Sequence, residues 1–279
     1  MTTTQIAPAT YTPTTPSRRV WTHVLTAEWT KVRSVRSTYW TLLAAAVLTV
    51  GLSAIVCAIV AAQYDGMNAR DRASIDPASI SLTGGILAQL AIAVFGVLVI
   101  TSEYGNGMIR TTFAAVPQRL SVLAAKIVVF SAVTVAVMLS ACLTAFFVGQ
   151  AILGTKDLGI GIGDTDVVRT ILGTTLYLLG LGLLALGLGA LIRKTAGAIT
   201  AIVGVVFVLP AITSFLPSSF DAIQRYLPSN AGEGILSGSR VRLEDEPVIL
   251  SPWVGLGVFF LYAVVTLVFA ASAMSRRDA

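Results

Sequence analysis

The chain has 279 residues, 55% of them hydrophobic and 12% charged, with a mean hydropathy of +0.83. Soluble domains carry about 25% charged residues, so a chain this poor in charge lacks the polar surface of a soluble globule and reads as an integral membrane protein. The net charge of +5 does not point to nucleic acid, because the basic residues flank apolar runs instead of forming a patch interleaved with aromatics.

Residues 1–19, MTTTQIAPATYTPTTPSRR, are rich in Thr and Pro without apolar periodicity, which predicts a disordered tail. It is no secretory leader, since the first apolar run, from Tyr39, outlasts an h-region. In Val20–Arg36, the residues Val20, Trp21, Val24, Leu25, Ala27, Trp29 and Val32 recur at helical spacings and lead to Lys31, Arg33 and Arg36. An apolar face with tryptophans, ending in basic residues, fits a helix lying at the membrane interface. The plainer alternative is a continuation of the first span.

A helix needs about 20 apolar residues to cross the hydrocarbon core. Six runs qualify: Tyr39–Ala62, Ser81–Thr101, Val122–Leu153, Val167–Ile192, Ala196–Leu216 and Trp253–Met274. Six spans leave both termini on one side. That side carries 12 of the 19 Lys and Arg residues, in the shorter loops, so the positive-inside rule predicts cytoplasmic termini. Apart from Lys126 and Arg169 near helix ends, the spans hold no ionisable group. That disfavours an ion-coupled carrier, which keeps a charge in mid-membrane only for function. The same scarcity leaves no constellation for an intramembrane enzyme.

Ser102–Arg119, SEYGNGMIRTTFAAVPQR, is the polar stretch between the second and third spans. Glu103 closes a helix, Gly105 and Gly107 permit a sharp turn, and Met108–Val116 has helical composition up to Pro117. A short helix here would present Arg110, Thr111 and Phe113 to the cytosol; an ordinary positive-inside loop would read much the same. In the fourth span, Gly173, Gly180 and Gly187 share one face, and Gly182 and Gly189 another, where missing side chains admit neighbouring helices. The string GLGLLALGLGA lies inside this span, with no preceding strand and no GK[ST], so it is no phosphate loop. Gln89, Thr134, Ser140, Thr144, Thr174, Thr175 and Tyr177 are the polar groups within spans; helix-to-helix hydrogen bonds and substrate contacts both account for them. Cys57 and Cys142 read as packing residues, and the single His23 excludes a multi-histidine site within the chain. In the outer loop, 217–252, Phe215, Leu216, Phe220, Ile223, Tyr226 and Leu227 suggest a short amphipathic segment between prolines, and Glu244–Glu246 an acidic turn.

Three segments, EWTKVRSVRSTYW, SEYGNGMIRTTFAAVPQR and YLPSN, together resemble the permeases of actinobacterial ABC-2-type transporters. The resemblance implies an all-α membrane domain over 20–279, in which an interfacial helix (Trp21, Trp29, Lys31, Arg33, Arg36) precedes six spans, as in type V exporters. It implies that 102–119 is the coupling loop, placing Glu103, Tyr104, Gly107, Arg110, Thr111 and Arg119 against an ATPase. Met108 stands where the family often has Thr. The family pairs such a permease with a separate cytosolic ABC ATPase and a second permease copy, as a homodimer or a heterodimer with a sister permease, in the plasma membrane. The sequence agrees in having no GxxxxGK[ST], so ATP and Mg would belong to the partner and this chain would need no cofactor. A membrane anchor or regulatory subunit that transports nothing is the competing expectation.

Overall fold

The computed structural model describes residues 18–116, 118–164, 166–213, 215, 224–236 and 250–276, with the backbone alone for 18–20 and 233. Residues 1–17, Leu216, Phe220, Ile223 and Glu244–Glu246, about which the sequence raised expectations, lie outside the described residues. All regular structure among the described residues is helical. Six helices are long and apolar enough to cross a membrane.

Helix α1 (Arg18–Ser34) begins two residues inside the stretch read as a tail. It is separate from α2 (Arg36–Gln63), because Val35 between them is extended, with φ −87° and ψ 115°, a conformation that suits a β-branched residue. Ser34 Oγ donates to Lys31 O and Tyr39 Oη to Arg33 O, so two of α1's last carbonyls are partnered at the break. Two short helices, α3 (Ala69–Ala73) and α4 (Pro77–Ile80), are capped by Asn68 and Asp76 and lead into α5 (Gly85–Gly105). Then come α6 (Met108–Ala115), α7 (Arg119–Leu153) and α8 (Val167–Ile192). At 35 residues, α7 is about 52 Å long, well beyond the hydrocarbon core.

Arg193 and Lys194 alone separate α8 from α9 (Thr195–Thr213). Arg193 turns the chain in the left-handed region at φ 59°, and its N–H bonds to Gly189 O. Within α9, Gly204–Val208 form a π turn, where Leu209 N–H reaches back to Gly204 O. Pro210, two residues beyond the turn, has no N–H to give the helical ladder. A short α10 (Pro228–Glu233) packs on α11 (Pro252–Arg276).

Helix α8 is the centre of the bundle: 72% of its most apolar window is buried, against 17% for α9, 22% for α2 and 28% for α11. Its glycine faces do what their spacing predicts. Gly173, Gly180 and Gly187 lie against Ile235, Phe259 and Thr266, and Gly182 and Gly189 against Phe130, Ile92 and Ile100. The contact with α5 is the closest, for a Cβ on Gly96 would lie 2.3 Å from Gly182 O. Helices α5 and α8 run parallel there, backbone against backbone.

The span hydroxyls behave differently from expectation. Thr174, Thr175, Ser140 and Thr144 donate to carbonyls of their own helix, and Thr134 Oγ1 has no partner among the described residues. In a low-dielectric surrounding the nearest backbone carbonyl satisfies a hydroxyl without a second helix. Between helices, Tyr177 and Gln89 bond at 3.2 Å from Oη to Oε1, and Thr175 also meets the Cys142 thiol of α7. Both cysteines are buried free thiols, and His23 is exposed.

Gly96→Ala is expected to force α5 and α8 apart and lower stability by about 1–3 kcal/mol. Gly257→Ala, where a Cβ meets nothing within 4 Å, is expected to leave stability unchanged or raise it by up to about 1 kcal/mol. Thermal unfolding of the two purified variants in one detergent checks the contrast.

Candidate functional site

Helix α6 hangs between the end of α5 and the start of α7. Its first turn starts from Gly107 at φ 69°, a left-handed conformation that glycine adopts without strain. It ends at Val116, which precedes a proline and is extended, with φ −130° and ψ 93°. Ile109 is the buried anchor and Phe113, four residues on, is half-buried beside it. The opposite face exposes Arg110, Thr111, Ala114 and Ala115. Phe113 therefore departs from its expected exposure: helical spacing puts it under Ile109, against Trp21, Leu25, Val24, Val122 and Ala125. Arg119 covers its ring at 5.3 Å and donates to Met274 O at 2.9 Å.

Beneath α6 lies a closed ring of charge. Lys126 Nζ contacts Glu28 Oε2 at 2.6 Å and Glu103 Oε1 at 2.8 Å. Lys31 Nζ contacts Glu28 Oε1 at 2.7 Å and the same Glu103 oxygen at 3.0 Å. Glu28, Glu103 and Lys126 are each no more than 3% exposed. Two carboxylates and two ammonium groups make the ring neutral, which is what permits its burial. It borders a cavity of about 40 Å³, and Glu103 Oε2 accepts no hydrogen bond among the described residues.

The ring joins three elements: α1 through Glu28 and Lys31, α5 through Glu103, and α7 through Lys126. Burial alone would push the Glu28 carboxyl up, but the charge and hydrogen bond of Lys126, then those of Lys31, outweigh it and hold it below the usual carboxylate range. For Lys31, burial disfavours the ammonium, and Glu28 and then Glu103 reverse this and raise it above the ordinary lysine value.

Other residues expected at this site are placed as follows. Glu103 points inward, so it roots the α5–α6 turn and offers nothing to an outside surface. Tyr104 is half-buried, with Arg193 over its ring at 5.0 Å, which ties the turn to the α8–α9 hairpin. Gly107, Arg110 and Thr111 are exposed. Of the residues expected in the interfacial helix, Trp21 is half-buried against α7, Trp29 is 45% exposed, Arg33 and Arg36 are exposed, and Lys31 belongs to the ring.

The parts the sequence reading missed are the pairings of Glu28 and Lys126. A signal existed for each. Glu28 falls four residues after Val24 and seven after Trp21, on the apolar stripe where a charge needs a partner. Lys126 stands seven residues inside α7, too deep for a simple flanking charge.

Residues 24–215, from α1 to the end of the fifth candidate span, match the ABC-2 family transporter protein family. No curated protein matches the chain.

Lys126→Met leaves two buried carboxylates to one ammonium and is expected to cost about 3–5 kcal/mol of stability, read as a lower unfolding temperature. The pH dependence has a definite sign. The folded value for Glu28 lies below the unfolded one, so its contribution is complete above the ordinary carboxylate range and is lost as pH falls through the lowered value. Acidification from neutral pH is expected to lower the unfolding temperature of the wild type more than that of Glu28→Gln.

Proposed function

This chain belongs to the ABC-2 family of transporter proteins, and on that premise we propose that it is the permease subunit of an ATP-binding-cassette exporter. It moves an amphiphilic substrate outward with ATP hydrolysed by a separate cytosolic subunit. It sits in the plasma membrane with both termini in the cytoplasm, and it works beside a second permease copy.

The observation that carries this reading is the mounting of α6. A short helix with one exposed polar face is hung between two spans, and its inner face rests on α1 next to the charge ring. A force on Arg110 and Thr111 has three routes into the bundle. Through Glu103 it reaches α5, through Lys126 it reaches α7, and through Tyr104 and Arg193 it reaches the α8–α9 hairpin. Two conformations of such a bundle need differ by only a few kcal/mol for a partner's nucleotide state to select between them. In this scheme Arg110, Thr111 and the exposed Gly107 turn meet the ATPase. Glu103 transmits from within, and Tyr104 and Arg119 brace the two ends of α6.

The scarcity of ionisable groups in the spans supports an external energy source, since the ring is neutral and lies at one end of α5. A membrane anchor that transports nothing would use the same α6 surface. Transport separates the two readings.

Arg110→Ala in full-length permease, co-reconstituted with its ATPase in vesicles, is expected to reduce ATP-dependent transport roughly tenfold or more. Its unfolding temperature should equal the wild-type value, because Arg110 is exposed. Unchanged transport in this variant removes α6 from the coupling route, and vesicles with ATPase turnover but no transport by the wild type favour the anchor.

A further inference from the structure

At the opposite end of α5 from the charge ring, a second cavity of about 400 Å³ lies between the start of α5, the first half of α8 and the π turn of α9. Small-molecule sites span about 300–1,000 Å³. Gln89 and Glu103 are fourteen positions apart on α5, so this cavity and the ring are separated by about 21 Å of helix. We propose that the cavity binds an uncharged amphiphile whose polar end carries hydrogen-bond donors. The proposal rests on the permease reading in taking that ligand as cargo.

Among the described residues no Asp, Glu, Lys, Arg or His borders the cavity, and against that wall a charged ligand would lose its hydration without gaining a counter-ion. The polar groups that do line it are unevenly committed. Thr83 and Thr174 spend their hydroxyl protons on Ser79 O and Thr170 O, at 3.2 and 2.8 Å, which leaves oxygen lone pairs as acceptors. Gln89 is 6% exposed, and its Oε1 accepts from Tyr177. Its Nε2 donates to none of the described residues and is not sealed off, so it is open to an acceptor on a ligand in the cavity. The wall therefore asks for donors opposite the threonines and one acceptor opposite Gln89, the pattern of a hydroxyl or secondary amide group.

The apolar part of the wall carries an independent sign. Val206 and Phe207 are consecutive residues of the π turn, and both line the cavity. An α-helical turn swings neighbours about 100° apart. The wider π turn opens the helix where the cavity needs width, and such turns gather at functional sites. Tyr177, stacked on Phe259 at 4.9 Å, forms a fixed aromatic surface beside Gln89. Ile86 both lines the cavity and is 52% exposed, so we take its side of the bundle as the entrance.

The test uses the full chain in lipid nanodiscs and n-hexyl β-glucoside as probe, titrated by saturation-transfer NMR. Saturable binding is expected, and hexyltrimethylammonium, with the same tail and a fixed charge, is expected not to displace it. Gln89→Leu combined with Tyr177→Phe removes the donor and its partner together and is expected to weaken binding roughly tenfold. Ile86→Trp narrows the entrance from an exposed position that folding tolerates, and is expected to reduce binding at unchanged unfolding temperature. Binding that does not saturate, that is equal in both variants, or that the cation displaces as well as the glucoside does, overturns the proposal. The measurement needs no ATPase, so the two readings fail separately. Absent binding with intact ATP-driven transport sinks the cavity alone, whereas a permease that binds the glucoside but transports nothing loses only its role as an exporter.

Discussion

The arrangement at one end of this molecule depends on four charges that neutralise one another out of water. A charge sealed from water costs several kcal/mol unless it is paired, and Glu28, Glu103 and Lys126 are all buried. Together with Lys31 they close a ring in which every charge has two contacts of opposite sign at 3.0 Å or less. Such rings add little net stability over a well-packed apolar core. We read this one as a device for register: it admits one relative placement of α1, α5 and α7, and so fixes where α6 must sit.

The rest of the bundle is held differently. Around α8 the contacts are dispersion contacts made possible by missing side chains, with Gly96 and Gly182 bringing two backbones together. This centre is closely packed, while α2, α9 and α11 keep most of their surface outward. A rigid core of α5 and α8 thus runs from the charge ring to the wall of the large cavity. Helix α9 is its loosest neighbour, interrupted by a π turn before Pro210. Motion is easiest where a helix already departs from ideal geometry and has few buried contacts.

Much of this was legible from residue order. Apolar run length located, within a few residues, the six helices long and apolar enough to span, because a helix must satisfy its own backbone in lipid and the run must match the membrane. Seven-residue glycine spacing identified the two faces of α8, since the period alone places Gly173, Gly180 and Gly187 together. What periodicity does not carry is the identity of the partner. Lys126 looks like any basic residue near a membrane surface until α1 is seen to lie across it. Phe113 looks available to solvent until Trp21 and Val122 are placed beside it. The span hydroxyls misled for another reason: back-bonding to the same helix leaves no trace in a sequence pattern.

The ring also bears on how the chain is made. Its members appear in the order Glu28, Lys31, Glu103, Lys126, so both acids are synthesised before the base that completes their neutralisation. When α7 enters the bilayer, the counter-ions for its one deep lysine are already present on α1 and α5. Until then the two acids share the single ammonium of Lys31, the same unbalanced set that Lys126→Met leaves. The third span therefore closes the ring, and the three elements it joins become one unit at that step.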